Sequence, residues 1–380
     1  MRVRFLSFCA LSVFLCANTN AQEQSITQIG PRLIKLSETP GHAAWLTEDA
    51  IGRLSQKSHE AGHCGGFMDI TEHQYKLNRR PSPVLPHPVV LAGPTLQHES
   101  AVRAMYEELS PQRIEALVSS LSSFSNRYYT SEQGVAAAHW IRDRFVEYSA
   151  GRSDIRVELV SHRFAQPSVV ARIEGQGEHA DEVVVIGGHE DSINQYQFWG
   201  EMHAPGADDN ASGTAAVIEV FRVLAQSGFV PERSIEFMTY AGEERGLLGS
   251  QDIAERYRRS GKTVVGVMQL DMTMFPDETG AIYLITDHTN AALTDFAKRL
   301  LDTYVQHPWL TDRCGYACSD HASWTDAGYA SVFPFEAKKD KMNRSIHTTG
   351  DLIERLSPDH GLPFAKLGVA FAVELAGRRL

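Results

Sequence analysis

Residues Val183–Gly213 read VVVIGGHEDSINQYQFWGEMHAPGADDNASG. The opening run of β-branched residues, 183–186, suits a buried strand at the centre of a sheet. It closes on Gly187-Gly188, and His189 and Asp191 follow at once. The loop beyond is rich in Gly, Asn and Ser and ends in Asp208-Asp209-Asn210-Ala211-Ser212-Gly213. Val217, Val220, Phe221 and Leu224 then recur at helical spacing. Ligands of open α/β sheets bind beyond the carboxyl ends of the strands, which is where these polar groups fall. A histidine and an acid at a strand end, facing an acid pair at a helix start, form half of a metal site.

Outward from this stretch the same arrangement repeats. Strands are expected at 155–161, 168–174, 234–240, 264–270, 282–286 and 330–334. Helices are expected at 111–121, 132–148, 247–259, 291–304 and 362–376, with Pro111 at the first position of its helix. Alternating strands and helices predict an α/β fold, with a mixed, mostly parallel central sheet flanked by helices. Acids recur where the apolar strands stop. The strand 234–240 runs into Glu243-Glu244, the strand 264–270 into Asp271, and His347 lies in a later loop. Any one of these acids is explained as a helix cap. The adjacent pair Glu243-Glu244 is harder to explain so, because two like charges beside a buried strand are costly unless a cation sits between them or one is protonated.

The chain has 380 residues, 43% of them hydrophobic, and a formal net charge of −11. It carries no basic stripe for nucleic acid and no patch for anionic lipid. Met1-Arg2-Val3-Arg4, the apolar segment Phe5–Ala17 and Thr19-Asn20-Ala21 predict a signal peptide over 1–21. Its apolar part falls short of the ~20 residues of a spanning helix, so a secreted, extracellular protein with no membrane association after cleavage is expected. Residues 22–100 differ from the remainder. They hold a helical pattern over Ala44–Leu54, then His59, His63 and Cys64, then the proline-rich run Arg79–Pro88, which can continue neither a helix nor a central strand. A small N-terminal pro-segment on a cleavable linker, trimmed by a processing protease, is expected ahead of a catalytic domain over 101–380. His59, His63 and Cys64 lack a fourth zinc ligand and read as ordinary structural residues. Cys9 and Cys16 leave with the signal. Cys314 and Cys318 can close a five-residue loop where Gly315 permits the bend; two free thiols are the alternative.

The motifs GHEDS (188–192), PGADDNASG (205–213), EERG (243–246), QLDM (269–272), CGYACSDH (314–321) and IHTT (346–349) together resemble the secreted bacterial leucyl aminopeptidases of the M28 zinc peptidase family. The resemblance runs from about Ser110 to Arg379, and the segment around Cys64-Gly65-Gly66-Phe67 is similar to pro-segments of that group. It implies a zinc-exopeptidase fold and a zymogen matured to a metallo-aminopeptidase. Such an enzyme hydrolyses leucine-like N-terminal residues from peptides with a free N-terminus, as a monomer, with two Zn2+. The resemblance makes Asp209, rather than Asp208, the bridging ligand. It completes one zinc with His189 and Glu244 and the other with Asp271 and His347. Glu243 is implied as general base, Asp191 as the residue orienting His189, and the Asp209–Asn210 peptide bond as cis.

The same resemblance places the first substrate side chain in a pocket of Met272, Ile285, Tyr316, Phe335 and Ile346, with a Cys314–Cys318 bridge as one wall. Lys339 stands where an aromatic residue is usual. A glutaminyl cyclase of the same architecture would not need His189, Asp191 and Asp271 together, and a binding protein without activity would be expected to lose Glu243 or a ligand.

Overall fold

Every residue of Val183–His189 is buried, because this strand lies inside the sheet with helices over its faces. A computed structural model describes residues 30–36, 41–61, 66–78, 86–91, 95–197 and 202–377. The expected signal peptide, His63, Cys64 and most of the proline-rich run lie outside these residues. In the N-terminal segment β1 (Arg32–Lys35), β2 (Ala43–Leu46) and β3 (Met68–Asp69) form a small antiparallel sheet in the order β2-β1-β3. The main sheet contains β4 (Ile155–Val160), β5 (Ser168–Ile173), β6 (Val183–His189), β7 (Ser234–Tyr240), β8 (Val264–Gln269), β9 (Ile282–Ile285), β10 (Trp309–Asp312) and β11 (Ser331–Phe335).

Its eight strands run in the order β10-β9-β11-β8-β6-β7-β5-β4. The pairs β10–β9, β11–β8, β8–β6 and β6–β7 are parallel. The pairs β9–β11, β5–β7 and β4–β5 are antiparallel. The expected mixed, mostly parallel sheet is therefore present. Its core is packed by the helices Pro111–Ser122, Glu132–Tyr148, Gly213–Gln226, Ala291–Leu300 and Pro358–Ala376. Val102 and Met105, from the helix Glu99–Tyr106, join the same core.

Two features differ from expectation in ways that matter here. The pattern over Ala44–Leu54 is not one helix. Ala43–Leu46 pairs with β1, and the helix Glu48–Glu60 starts only after Thr47, whose hydroxyl accepts the Ala50 amide. The helix expected over 291–304 is regular only to Leu300 and widens into a π-turn over Leu301–Val305. A strand at Trp309–Asp312 and a helix at His321–Ala327 were not expected; both are too short to show a clear period.

The register places the site. His189 pairs with Tyr240 across β6 and β7, and Gly187 pairs with Gln269 across β6 and β8. Glu243, Glu244 and Asp271 therefore emerge beside His189, beyond the carboxyl ends of three adjacent parallel strands. Asn210 joins the pieces: its amide donates to Leu270 O at 3.1 Å and its oxygen accepts Gly213 N at 2.9 Å and Met272 N at 3.1 Å. The helix Gly213–Gln226 begins so close to β8 that a Cβ on Gly213 would lie 2.2 Å from Leu270 O. Gly213→Ala is accordingly expected to destabilise the fold by at least the ~1–3 kcal/mol of an overpacked core site, read as a lower urea midpoint. An unchanged midpoint would show that the helix can retreat from β8 freely.

Candidate metal centre

The five side chains expected as ligands converge in one buried cleft. His189 Nε2 lies 3.0 Å from Asp209 Oδ1 and 3.4 Å from Asp271 Oδ1. His347 Nε2 lies 3.0 Å from Asp209 Oδ2 and 2.9 Å from Glu244 Oε2. His189, Asp209 and Asp271 thus make one group with metal-binding geometry, and Asp209, Glu244 and His347 make a second. Asp209 offers one oxygen to each, as a bridging residue would. The expected partners are exchanged, however: His189 goes with Asp271 and Glu244 with His347. The cause is topological. β6 lies between β7 and β8, so Glu244 and Asp271 both emerge near His189, and the 347 loop meets Glu244 at 2.9 Å while His189 meets Asp271 at 3.4 Å.

The Asp209–Asn210 peptide bond is cis, and His347 and Met272 adopt positive φ, both at 57°. Asp191 does more than orient His189. Its backbone carbonyl and carboxylate lie 3.2 and 3.5 Å from His189 Nδ1, and its two carboxylate oxygens also accept Glu243 N at 2.9 Å and Glu244 N at 3.2 Å. One acid thereby aligns two segments of the cleft.

The electrostatics call for a cation. Burial pushes the Glu243 carboxyl well above its ordinary range; Asp320, Glu244 and Asp271 add to this, and His189 opposes it. Burial likewise raises Glu244 to about 7. Burial also works to raise Asp209, but the hydrogen bonds from His189 and His347 outweigh it and hold Asp209 far below the carboxylate range. Asp271 Oδ1, Glu244 Oε1 and His347 Nδ1 are buried without a hydrogen-bond partner among the described residues. Two imidazoles and three carboxylates are a donor set suited to zinc. The residues fit two such ions.

Three contributors had no sequence signal pointing to these contacts. Ser319 Oγ donates to Asp271 Oδ2 at 2.6 Å. Asp320, raised to about 7 by burial, accepts from Gln269 at 2.9 Å and faces Glu243. His59, from the helix Glu48–Glu60, stacks on His347 with ring centroids 5.6 Å apart.

The residues expected to line a pocket also lie together. Met272, Ile285, Phe335 and Ile346 are buried in one apolar cluster with Cys314 and Cys318, and Tyr316 packs against it. Cys314 and Cys318 are joined in a disulfide, and Asp287 accepts the amides of Cys314 at 2.9 Å and Gly315 at 2.6 Å. Lys339 Nζ sits 4.7 Å above the Phe335 ring and 5.8 Å from that of Tyr316.

Comparison with known proteins agrees with this fold. Residues 168–371 match peptidase family M28. Leucine aminopeptidase 1 of Arthroderma otae is 36% identical over 98% of this chain and 100% of its own. The crystal structure of LapB from Legionella pneumophila superposes with a TM-score of 0.79 at 31% identity, covering 91% of this chain and 99% of LapB. That of the Legionella pneumophila LapA aminopeptidase gives 0.81 at 28% identity, covering 93% and 100%. The chain belongs to peptidase family M28 and is a metallo-aminopeptidase. The expected kinship with bacterial leucyl aminopeptidases in particular is not supported, since Leucine aminopeptidase 1 of Arthroderma otae is fungal.

Proposed function

We propose that this chain is exported as a zymogen and, once trimmed, works as a two-zinc aminopeptidase that removes leucine-like residues from the N-termini of peptides. The observation that carries the reading is Asp209, with one oxygen in each of two donor groups. One zinc would be held by His189, Asp209 and Asp271, the other by Asp209, Glu244 and His347. Zinc, when bound, supplies Lewis acidity to the scissile carbonyl and the attacking water. Glu243 takes the proton from that water and hands it to the leaving amine. Asp191 keeps Glu243 in place through its backbone amide and keeps the His189 ring turned toward Asp209.

The leucine preference rests on the relative's name, Leucine aminopeptidase 1, and on the apolar cluster of Met272, Ile285, Phe335 and Ile346. Each buried CH₂ contributes about 0.8 kcal/mol, which favours leucine over alanine. Export rests on the signal-like residues 1–21. Among the described residues no helix is long and apolar enough to cross a membrane. The zymogen reading rests on contacts of the N-terminal segment around the cleft. His59 faces His347, Glu48 pairs with Arg245, and Asp69 N bonds Gly246 O at 3.0 Å. Leu33, Met68 and Ile70 pack with Leu247, Ala317 and Ala322.

Four outcomes are expected. The trimmed protein should hold two zinc ions by elemental analysis and hydrolyse leucine p-nitroanilide. Glu243→Gln should retain both ions and lose about 10²–10⁴-fold in turnover; near-normal turnover would assign the base elsewhere. The untrimmed protein should be slower than the trimmed one at equal zinc content, and equal rates would leave the segment a role in folding or export only. Finally, Lys339→Phe should raise the ratio of phenylalanine to leucine hydrolysis on a panel of aminoacyl p-nitroanilides, because it removes an ammonium from beside the rings of Phe335 and Tyr316. An unchanged ratio would show that Lys339 only lays its stem along the pocket wall.

A further inference from the structure

Asp351 lies four positions beyond His347 in the same loop and is fully buried. Each of its carboxylate oxygens is taken by one backbone amide of the segment opposite: Oδ1 accepts Asp208 N and Oδ2 accepts Asp209 N, both at 3.0 Å. Its carbonyl accepts Ala207 N at 3.2 Å. Asn343 closes the arrangement, donating to Asp208 Oδ2 at 3.0 Å and, more weakly, to Asp351 Oδ1 at 3.4 Å. On the other side of the same turn the buried Arg127 donates to the carbonyls of Pro205 at 2.6 Å and Gly206 at 2.8 Å. Its Nε donates to Glu190 O at 2.8 Å, and its charge lies among Asp351, Asp191, Asp209 and Glu244.

We propose that Asp351 is a positioning residue of the metal centre, clasping the backbone that carries Asp209 to the loop that carries His347. The inference rests on the two-zinc reading above. The geometry requires such a clasp. His347 Nε2 must stay within reach of both Asp209 Oδ2, at 3.0 Å, and Glu244 Oε2, at 2.9 Å, yet it comes from a loop rather than from a strand. A side chain that ties this loop to residues 207–209 sets the spacing of two donors that share no element.

A carboxylate suits the task because it accepts two amides at once with both oxygens. An asparagine would turn its NH₂ group against one of two N–H donors and leave a buried amide without an acceptor. Asp191 treats Glu243 N and Glu244 N in the same way. The two acids together tie four of the five segments that supply donors: Asp191 joins the end of β6 to the 243–244 turn, and Asp351 joins the 347 loop to residues 207–209. Glu336 differs: it accepts both Met274 N and Phe275 N on its single Oε2, at 2.9 and 2.7 Å.

The test separates positioning from plain stability. The full-length protein, its Asp351→Asn variant and its Asn343→Ala variant are stripped with a chelator and titrated with Zn2+ by calorimetry. Urea melts of the metal-free forms are recorded alongside. The parent is expected to bind two zinc ions, and Asp351→Asn to remain folded while binding them about 10–100-fold more weakly, as outer-shell changes do. Asn343→Ala, which loosens the same clasp, should show a smaller fall in the same direction. Unchanged affinity in a folded Asp351→Asn protein would overturn the proposal and leave the two-zinc reading standing. Should that variant not fold, unchanged affinity in Asn343→Ala overturns it instead. A parent that binds no zinc would overturn both.

Discussion

Asp209 sits between two imidazoles, its oxygens each 3.0 Å from the Nε2 of His189 and of His347. The rest of the molecule is arranged to make that position hold. A buried carboxylate is tolerable only when its charge is met, and here it is met by rings from two parts of the chain 158 positions apart (347 − 189). Glu243, Glu244 and Asp271 gather at the same point and add negative charge beyond what two imidazoles can neutralise. Burial raises both glutamates, and the two acids on neighbouring positions of one turn cannot both stay ionised cheaply in a dry cleft. The excess is removed if cations enter. The acids whose mutual repulsion is costly in a buried cleft are those that suit it to a cation.

Sheet topology does most of the gathering. β8, β6 and β7 are adjacent and parallel, so whatever follows each strand appears at one edge. This is why so much of the centre was legible from the chain. The Val183–His189 run, the acids after β7 and β8, and the acid pair before Gly213 each end an apolar run, and local pattern reports strand ends well. His347 has no such marker. It lies in a loop, and only resemblance to a family placed it in the site.

What could not be read locally is who stands next to whom. Glu244 follows β7 and Asp271 follows β8, so sequence order says nothing about which histidine each will face. Strand order and the approach of the 347 loop decide that, and they exchanged the expected partners. The same holds for Ser319, whose hydroxyl meets Asp271 across 48 positions. The short elements at Trp309–Asp312 and His321–Ala327 escaped for a simpler reason: four and seven residues carry too few repeats to reveal a period. At Ala44–Leu54 pairing with β1 overrode a helical pattern, as tertiary context commonly does for short segments.

The N-terminal segment meets the catalytic domain through several polar contacts. Its Lys76 is buried, with Nζ 2.8 Å from Asp326 and 3.1 Å from Gln251. Gln251 also donates to Asp69 O at 3.0 Å and to Gly246 O at 2.8 Å. A Cβ on Gly246, which has φ of 101°, would fall 2.5 Å from Asp69 N, so the segment meets the Glu243–Gly246 turn with no side chain between them. An interface of this kind is specific without being strongly adhesive, because exchanging water for protein hydrogen bonds yields only about 0.5–1.5 kcal/mol for each bond. Among the described residues ahead of the proline-rich run, a small apolar cluster around Leu33, Met68 and Ile70 meets Leu247, Ala317 and Ala322. The segment touches the Glu243–Gly246 turn, the Cys314–Cys318 loop through Ala317, and His347 itself, and all three must be correctly placed for it to dock. It therefore recognises the assembled cleft, and fragments of the cleft formed singly would offer it little. Under the zymogen reading proposed above, a cover built this way would favour the folded centre while attached and, once cut ahead of Val89, would keep mainly polar contacts and the Leu33–Met68–Ile70 cluster to hold it.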